Sequence, residues 1–159
     1  MKSAGKIIFI LGVCGSLMFY SGCSKKNPAA PSITDQQLAI LTKGTSVTWK
    51  VSAVTKDNID EKNPDYASFA MTLTGAIGST DVGYSTAGRT GTKYPWAAQN
   101  GKLTFDTTNP ATTLLRDDGV VVTYAVTASQ LIMSFNYSGP GFNARTSVVT
   151  GIWQFTFIP

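Results

Sequence analysis

Residues 131–159 read LIMSFNYSGPGFNARTSVVTGIWQFTFIP. Large apolar side chains recur at every second position, at Leu131, Met133, Phe135 and Tyr137, and again at Val149, Trp153, Phe155 and Phe157. A period of two is what a β-strand with one buried face requires, because successive side chains point to opposite sides. Ser138-Gly-Pro-Gly141 between the two runs predicts a loop.

The same alternation extends upstream. Val47, Trp49, Val51 and Ala53 alternate with polar residues, and so do Phe69, Met71 and Leu73. A shorter strand is expected over 82–86. Asn100-Gly101 reads as a two-residue hairpin turn leading into Leu103 and Phe105, and Asp118-Gly119 as a second, joining 112–116 to 120–126. Thr34 and Gln37 have capping-box spacing, Leu38 and Leu41 share a face, and Gly44 suits a C-terminal cap, so one helix is expected over 34–44. About eight strands follow in order, with no helix between them, which excludes parallel βαβ units. The predicted fold is therefore all-β: a single antiparallel up-and-down β-barrel of about eight strands with one short N-terminal helix. A β-sandwich is the competitor. The inward set is bulky (Trp49, Met71, Leu73, Phe105, Phe135, Trp153 and Phe155), which predicts a mostly filled barrel.

Ahead of this domain the chain changes character. Lys2 and Lys6 precede a 14-residue apolar run, Ile7 to Tyr20, and Ser21-Gly22-Cys23 follows. The run is shorter than the roughly 20 residues of a transmembrane helix, so it reads as an export signal. Small residues before a cysteine look like a bacterial lipobox. Residues 1–22 are expected to be a removable signal peptide, 23–33 a lipidated Cys23 with a flexible Pro-containing tether, and 34–159 the barrel. Stable anchoring needs more than one acyl chain, since each buried CH₂ contributes about 0.8 kcal/mol. The expected location is the cell envelope, lipid-anchored, most plainly the outer membrane.

Composition narrows the chemistry. The net charge is +4, but Lys2 and Lys6 belong to the signal and Lys25 and Lys26 to the tether. From Thr34 onward nine basic residues face nine acidic ones, so no nucleic-acid partner is expected. There is no histidine, and Cys14 and Cys23 are the only cysteines. Without imidazole or a free thiol in the mature domain, Ser-His-Asp and Cys-His catalysis lose their parts, as do His or Cys metal sites. We expect no enzyme activity, no cofactor and no metal.

Several motifs nevertheless invite a role. Asp117-Asp118-Gly119 reads as a turn rather than a calcium fragment, lacking further spaced oxygens. Asp60-Glu61 as neighbours on a strand would face opposite sides, unlike an acid/base pair. Trp96 follows Pro95 in a Gly/Thr-rich loop, with Arg89, Lys93 and Tyr94 beside it, and these four residues form the candidate contact surface for a small apolar ligand or an envelope protein. Asp106-Thr107-Thr108 resembles the short O-glycosylation acceptor of Bacteroidota envelope proteins, which makes Thr107 a candidate glycan site.

In order along the chain, the lipobox, the tether, a helix ending LTKG, then TWKVSAVTKD, YPW, LLRDDG and GIWQFTF resemble small lipocalin-like lipoproteins of the Bacteroidota. The resemblance covers roughly residues 23–158. It implies the barrel fold and a lipid-anchored location, and hardly any particular activity. Gly-x-Trp, the usual lipocalin mark on the first strand, stands here at Gly151-Ile-Trp153 on the last.

Overall fold

The computed structural model describes residues 29–62, 66–88, 95, 99–140 and 148–159. Cys23 and the whole expected signal peptide lie outside these residues. A ten-residue helix α1, Ile33–Thr42, precedes nine strands: β1 Ser46–Lys56, β2 Ile59–Asp60, β3 Ala70–Thr74, β4 Asp81–Ala87, β5 Asn100–Phe105, β6 Thr113–Arg116, β7 Val121–Val126, β8 Leu131–Pro140 and β9 Val148–Ile158. Apart from β2, each strand pairs antiparallel with the next, and β9 returns to pair with β1. Eight strands thus close a barrel, and the two-residue β2 hangs outside it on the end of β1. Closure leaves the meander no free edge, which a sandwich would not achieve.

Alternation fills the interior. Trp49, Met71, Leu73, Val82, Leu103, Leu114, Val122, Met133, Trp153, Phe155 and Phe157 are fully buried in one cluster, with Phe105 and Phe135 nearly so. Phe155 sits at its centre, stacked between Trp153 and Phe157 at 6.1 and 6.0 Å and met edge-on by Tyr66 at 5.5 Å. The inward set expected to fill the barrel is entirely buried.

The helix closes one end. Trp49 Nε1 donates to the Leu41 carbonyl at 2.9 Å, Leu38 and Leu41 are buried, and Tyr124 Oη reaches Gln37 and the Pro110 carbonyl. The cap is two residues earlier than Thr34 and Gln37 suggest. Ser32 is the N-cap, its Oγ accepting from Asp35 N at 3.0 Å, and the chain leaves the helix at Lys43 in the left-handed region, followed by Gly44.

Three further expectations are corrected. Ala53 faces outward, because a bulge at Ser52 shifts the β1–β9 register between Val51 and Ala53 and turns Val54 inward instead. Asn100-Gly101 is not a turn: both residues lie in β5, opposite Ser85 and Tyr84. A Cβ at Gly101 would collide with the Asp117 carboxylate and the Tyr84 phenol, so close approach explains the glycine. The chain does not loop out at Ser138, since β8 runs on to Pro140, paired with β9 through Ser138–Thr150 and Gly139–Val149. A hairpin absent from the sequence reading appears at Asp57-Asn58, both with positive φ, joining β1 to β2.

Candidate functional site

The barrel's other end, opposite α1, is its mouth. Here β6 ends at Arg116, two residues beyond the inward Leu114, and the pleat carries the Arg116 side chain to the interior as well. The Asp117-Asp118-Gly119 turn folds back over it. Gly119 takes a φ of 86° and donates its N–H to the Arg116 carbonyl at 2.9 Å. This return places the Asp118 carboxylate bidentate on the guanidinium, at 2.7 Å from Nε and 2.6 Å from Nη2. Nη1 donates to the Pro95 carbonyl at 3.1 Å. The guanidinium carbon lies 5.4 Å from the Phe135 ring centre and 5.3 Å from that of Tyr137. Arg116 is 1% exposed. Rings on its faces and oxygens on its edge suit a guanidinium better than an ammonium.

Charge and burial compete in this cluster. Burial pushes the Asp118 carboxyl up, but the Arg116 hydrogen bonds and charge outweigh it and hold Asp118 below its ordinary value. Asp117 serves a neighbour: Tyr84 Oη donates to it at 3.3 Å and the Lys102 N–H at 3.1 Å. Burial, and then the Asp117 charge, push the Tyr84 phenol up to about 12, while Arg116 pulls it the other way. Burial likewise raises Tyr137, whose Oη donates to the Pro140 carbonyl at 2.8 Å. Beside Phe135 lies Trp153, with Tyr66 packed edge-on at 5.9 Å. Its Nε1, among the described residues, is the buried side-chain polar atom without a hydrogen-bond partner.

Of the residues expected to form a contact surface, Arg89, Lys93, Tyr94 and Trp96 lie outside the described residues. Their neighbour Pro95 is described. It is buried at the mouth, with its carbonyl held by Arg116. Thr107 is exposed at the opposite end, in the β5–β6 connection, where Asp106 Oδ1 accepts from the N–H groups of Thr108 and Asn109. The two motif residues Asp60 and Glu61 part company: Asp60 is exposed and accepts from Lys62 N, while Glu61 is half-buried and donates its N–H to the Val54 carbonyl. Among the described residues no three His, Cys, Asp or Glu side chains gather to hold a metal.

Arg116 is the residue that sequence reading missed. Its signal was present, since Leu114-x-Arg116 continues an inward register and a carboxylate follows two residues on. Chemically the mouth holds an ion pair, phenol hydroxyls and ring faces that are buried and engaged with one another. No protein-family model, curated protein or solved structure matches the chain.

Proposed function

We propose that the chain is a lipid-anchored envelope lipoprotein and a non-catalytic binding module, making its contacts on the rim of the barrel mouth rather than deep inside. The observation that carries this reading is the Arg116 clamp. A buried guanidinium holds the backbone of Pro95 between Tyr94 and Trp96, the two aromatic residues of the candidate contact surface. Burying a charge is costly, and apolar replacement of such a pair is often neutral or stabilising. A clamp of this kind is well suited to fixing the backbone at Pro95. The filled interior leaves large ligands the rim, and a small apolar ligand or an envelope protein both fit there. The lipobox at Cys23 and the lack of histidine support the anchor and the non-catalytic role.

Native pull-down from solubilised envelope, comparing the natural chain with Trp96→Ala, tests the proposal. Trp96→Ala is expected to weaken retention of the partner while changing stability by no more than about 0.5 kcal/mol, as for a surface site. Undiminished retention with Trp96→Ala would sink the rim reading. The second reading is a structural or accessory subunit of an envelope assembly. It is favoured by the cross-strand pair Leu115–Val121 and by Ile152, all exposed on the outer wall. In that case Val121→Lys would abolish retention and Trp96→Ala would not.

A further inference from the structure

The end of the barrel closed by α1 carries exposed apolar side chains where the tether arrives. Ile33, the first helical residue, is 54% exposed, and Ile77, in the β3–β4 connection, is 60% exposed. The two segments are held together: the Gly78 N–H donates to Asp35 Oδ1 at 2.7 Å. Ala29, Ala30, Pro31 and Ala76 are exposed beside them. Between residues 27 and 42 and between 74 and 80 the one charged side chain is Asp35. Its carboxylate is already engaged by Gly78 N and the Ser32 hydroxyl, which hold it ionised and turned to the protein.

We propose that this face docks on the lipid surface, with Ile33 and Ile77 entering the interface and the Arg116 mouth directed away from the membrane. The inference rests on the lipoprotein reading, because the occupant is named by where the chain goes. Cys23 is ten residues before Ile33, a reach of about 33–36 Å at most. A tether that short presents the bilayer to the domain at an effective concentration of millimolar order, so even a weak apolar contact is populated. The tether joins the barrel at this patch, which therefore meets the lipid first. A face with isoleucines whose one carboxylate, Asp35, is tied back to Gly78 and Ser32 suits the apolar part of an interface and needs no anionic headgroup.

The mature chain contains no cysteine other than Cys23, so an introduced cysteine is a unique label site once Cys23 is acylated. The full chain, purified from envelope, is reconstituted in phosphatidylethanolamine/phosphatidylglycerol vesicles holding some spin-labelled lipid. An environment-sensitive fluorophore is attached at Ala76→Cys or at Val121→Cys, the latter on the wall near the mouth. Quenching several-fold stronger at position 76 than at 121 is expected, and it should vanish in an Ile33→Ser/Ile77→Ser background that stays with the vesicles. Equal quenching at both positions, or none at either, overturns the docked orientation. The mass of the N-terminal peptide is read on the same sample. An unmodified Cys23 would overturn the lipoprotein reading itself, whereas an acylated chain without differential quenching overturns only the docking.

Discussion

Arg116 and Asp118 put opposite demands on the mouth. Arg116 has left water almost completely, whereas the Asp118 side chain keeps 38% of its exposure. Removing the carboxylate strands a buried cation, while removing both partners strands no charge and leaves only the Pro95 carbonyl without its donor. Asp118→Ala is therefore expected to cost about 3 kcal/mol, the low end for breaking a buried pair because the carboxylate is partly screened by water. Arg116→Met/Asp118→Ala should recover most of that loss, measured by urea unfolding of all four members of the cycle. A double variant as unstable as Asp118→Ala would mean that the guanidinium matters through its rings and Pro95 alone. The pair also sets a pH dependence. Asp118 has a folded-state pKa lowered from its ordinary value near 4, so its contribution is complete above that value. It is lost as pH falls through the lower folded value, and the urea midpoint of Asp118→Asn should fall less than that of the natural chain below about pH 4. The sequence showed the aspartates as a turn and left the arginine unread, because a charged residue in an inward register looks like an error of alternation until its partner is known. Trp153 was legible as core from its spacing alone, but its unpartnered Nε1 was not, since hydrogen bonding depends on what the other strands bring.

At the level of elements, regular alternation was read correctly and its interruptions were not. In β8 and β9 the inward residues are those the spacing selects. In β1 the pattern Val47, Trp49, Val51, Ala53 continues past the point where Ser52 bulges, and a single extra residue exchanges the two faces of everything after it. The bulge yields a sharp contrast. Ala53→Glu should change stability by less than about 0.5 kcal/mol, because the side chain points to water. Val54→Asp should prevent folding, because it places a carboxylate in the fully buried cluster without a partner. Circular dichroism and urea titration of the two variants decide it; the reverse order would restore an unbroken register. Asn100-Gly101 failed for a different reason. The dipeptide is a strong turn signal where chain reversal is the local need, but here glycine answers crowding from Tyr84 and Asp117 across the sheet. The true tight turn, Asp57-Asn58, uses two residues that tolerate positive φ without a glycine, a weaker signal that is easily passed over.

At the scale of the whole molecule the barrel is defined by one long-range pairing, β1 with β9, which joins residues about a hundred apart, such as Lys50 and Ile158. The strand order was legible because short connections between successive alternating runs allow little else. Closure was inferred from the edges it removes rather than seen in any residue. It has a mechanical consequence: within the barrel every strand has neighbours on both sides, whereas β2 has one. Gln154 pairs with both Thr55 and Ser134 and points its side chain outward, so its substitution disturbs the ladder rather than the core. Asp60 lies opposite Thr55 in β2, flanked by the Lys56–Ile59 pair and by the Glu61 N–H bond to Val54, which places its own N–H away from β1. Proline removes an N–H and fixes φ, so it is tolerated on an open edge and excluded from a central strand. Gln154→Pro should cost at least about 3 kcal/mol or prevent folding, and Asp60→Pro should cost less than about 1 kcal/mol. If urea unfolding gave both variants the same small loss, β9 would behave as an edge. The seam with β1 would then be open in solution, and the molecule would be a curled sheet rather than a closed barrel.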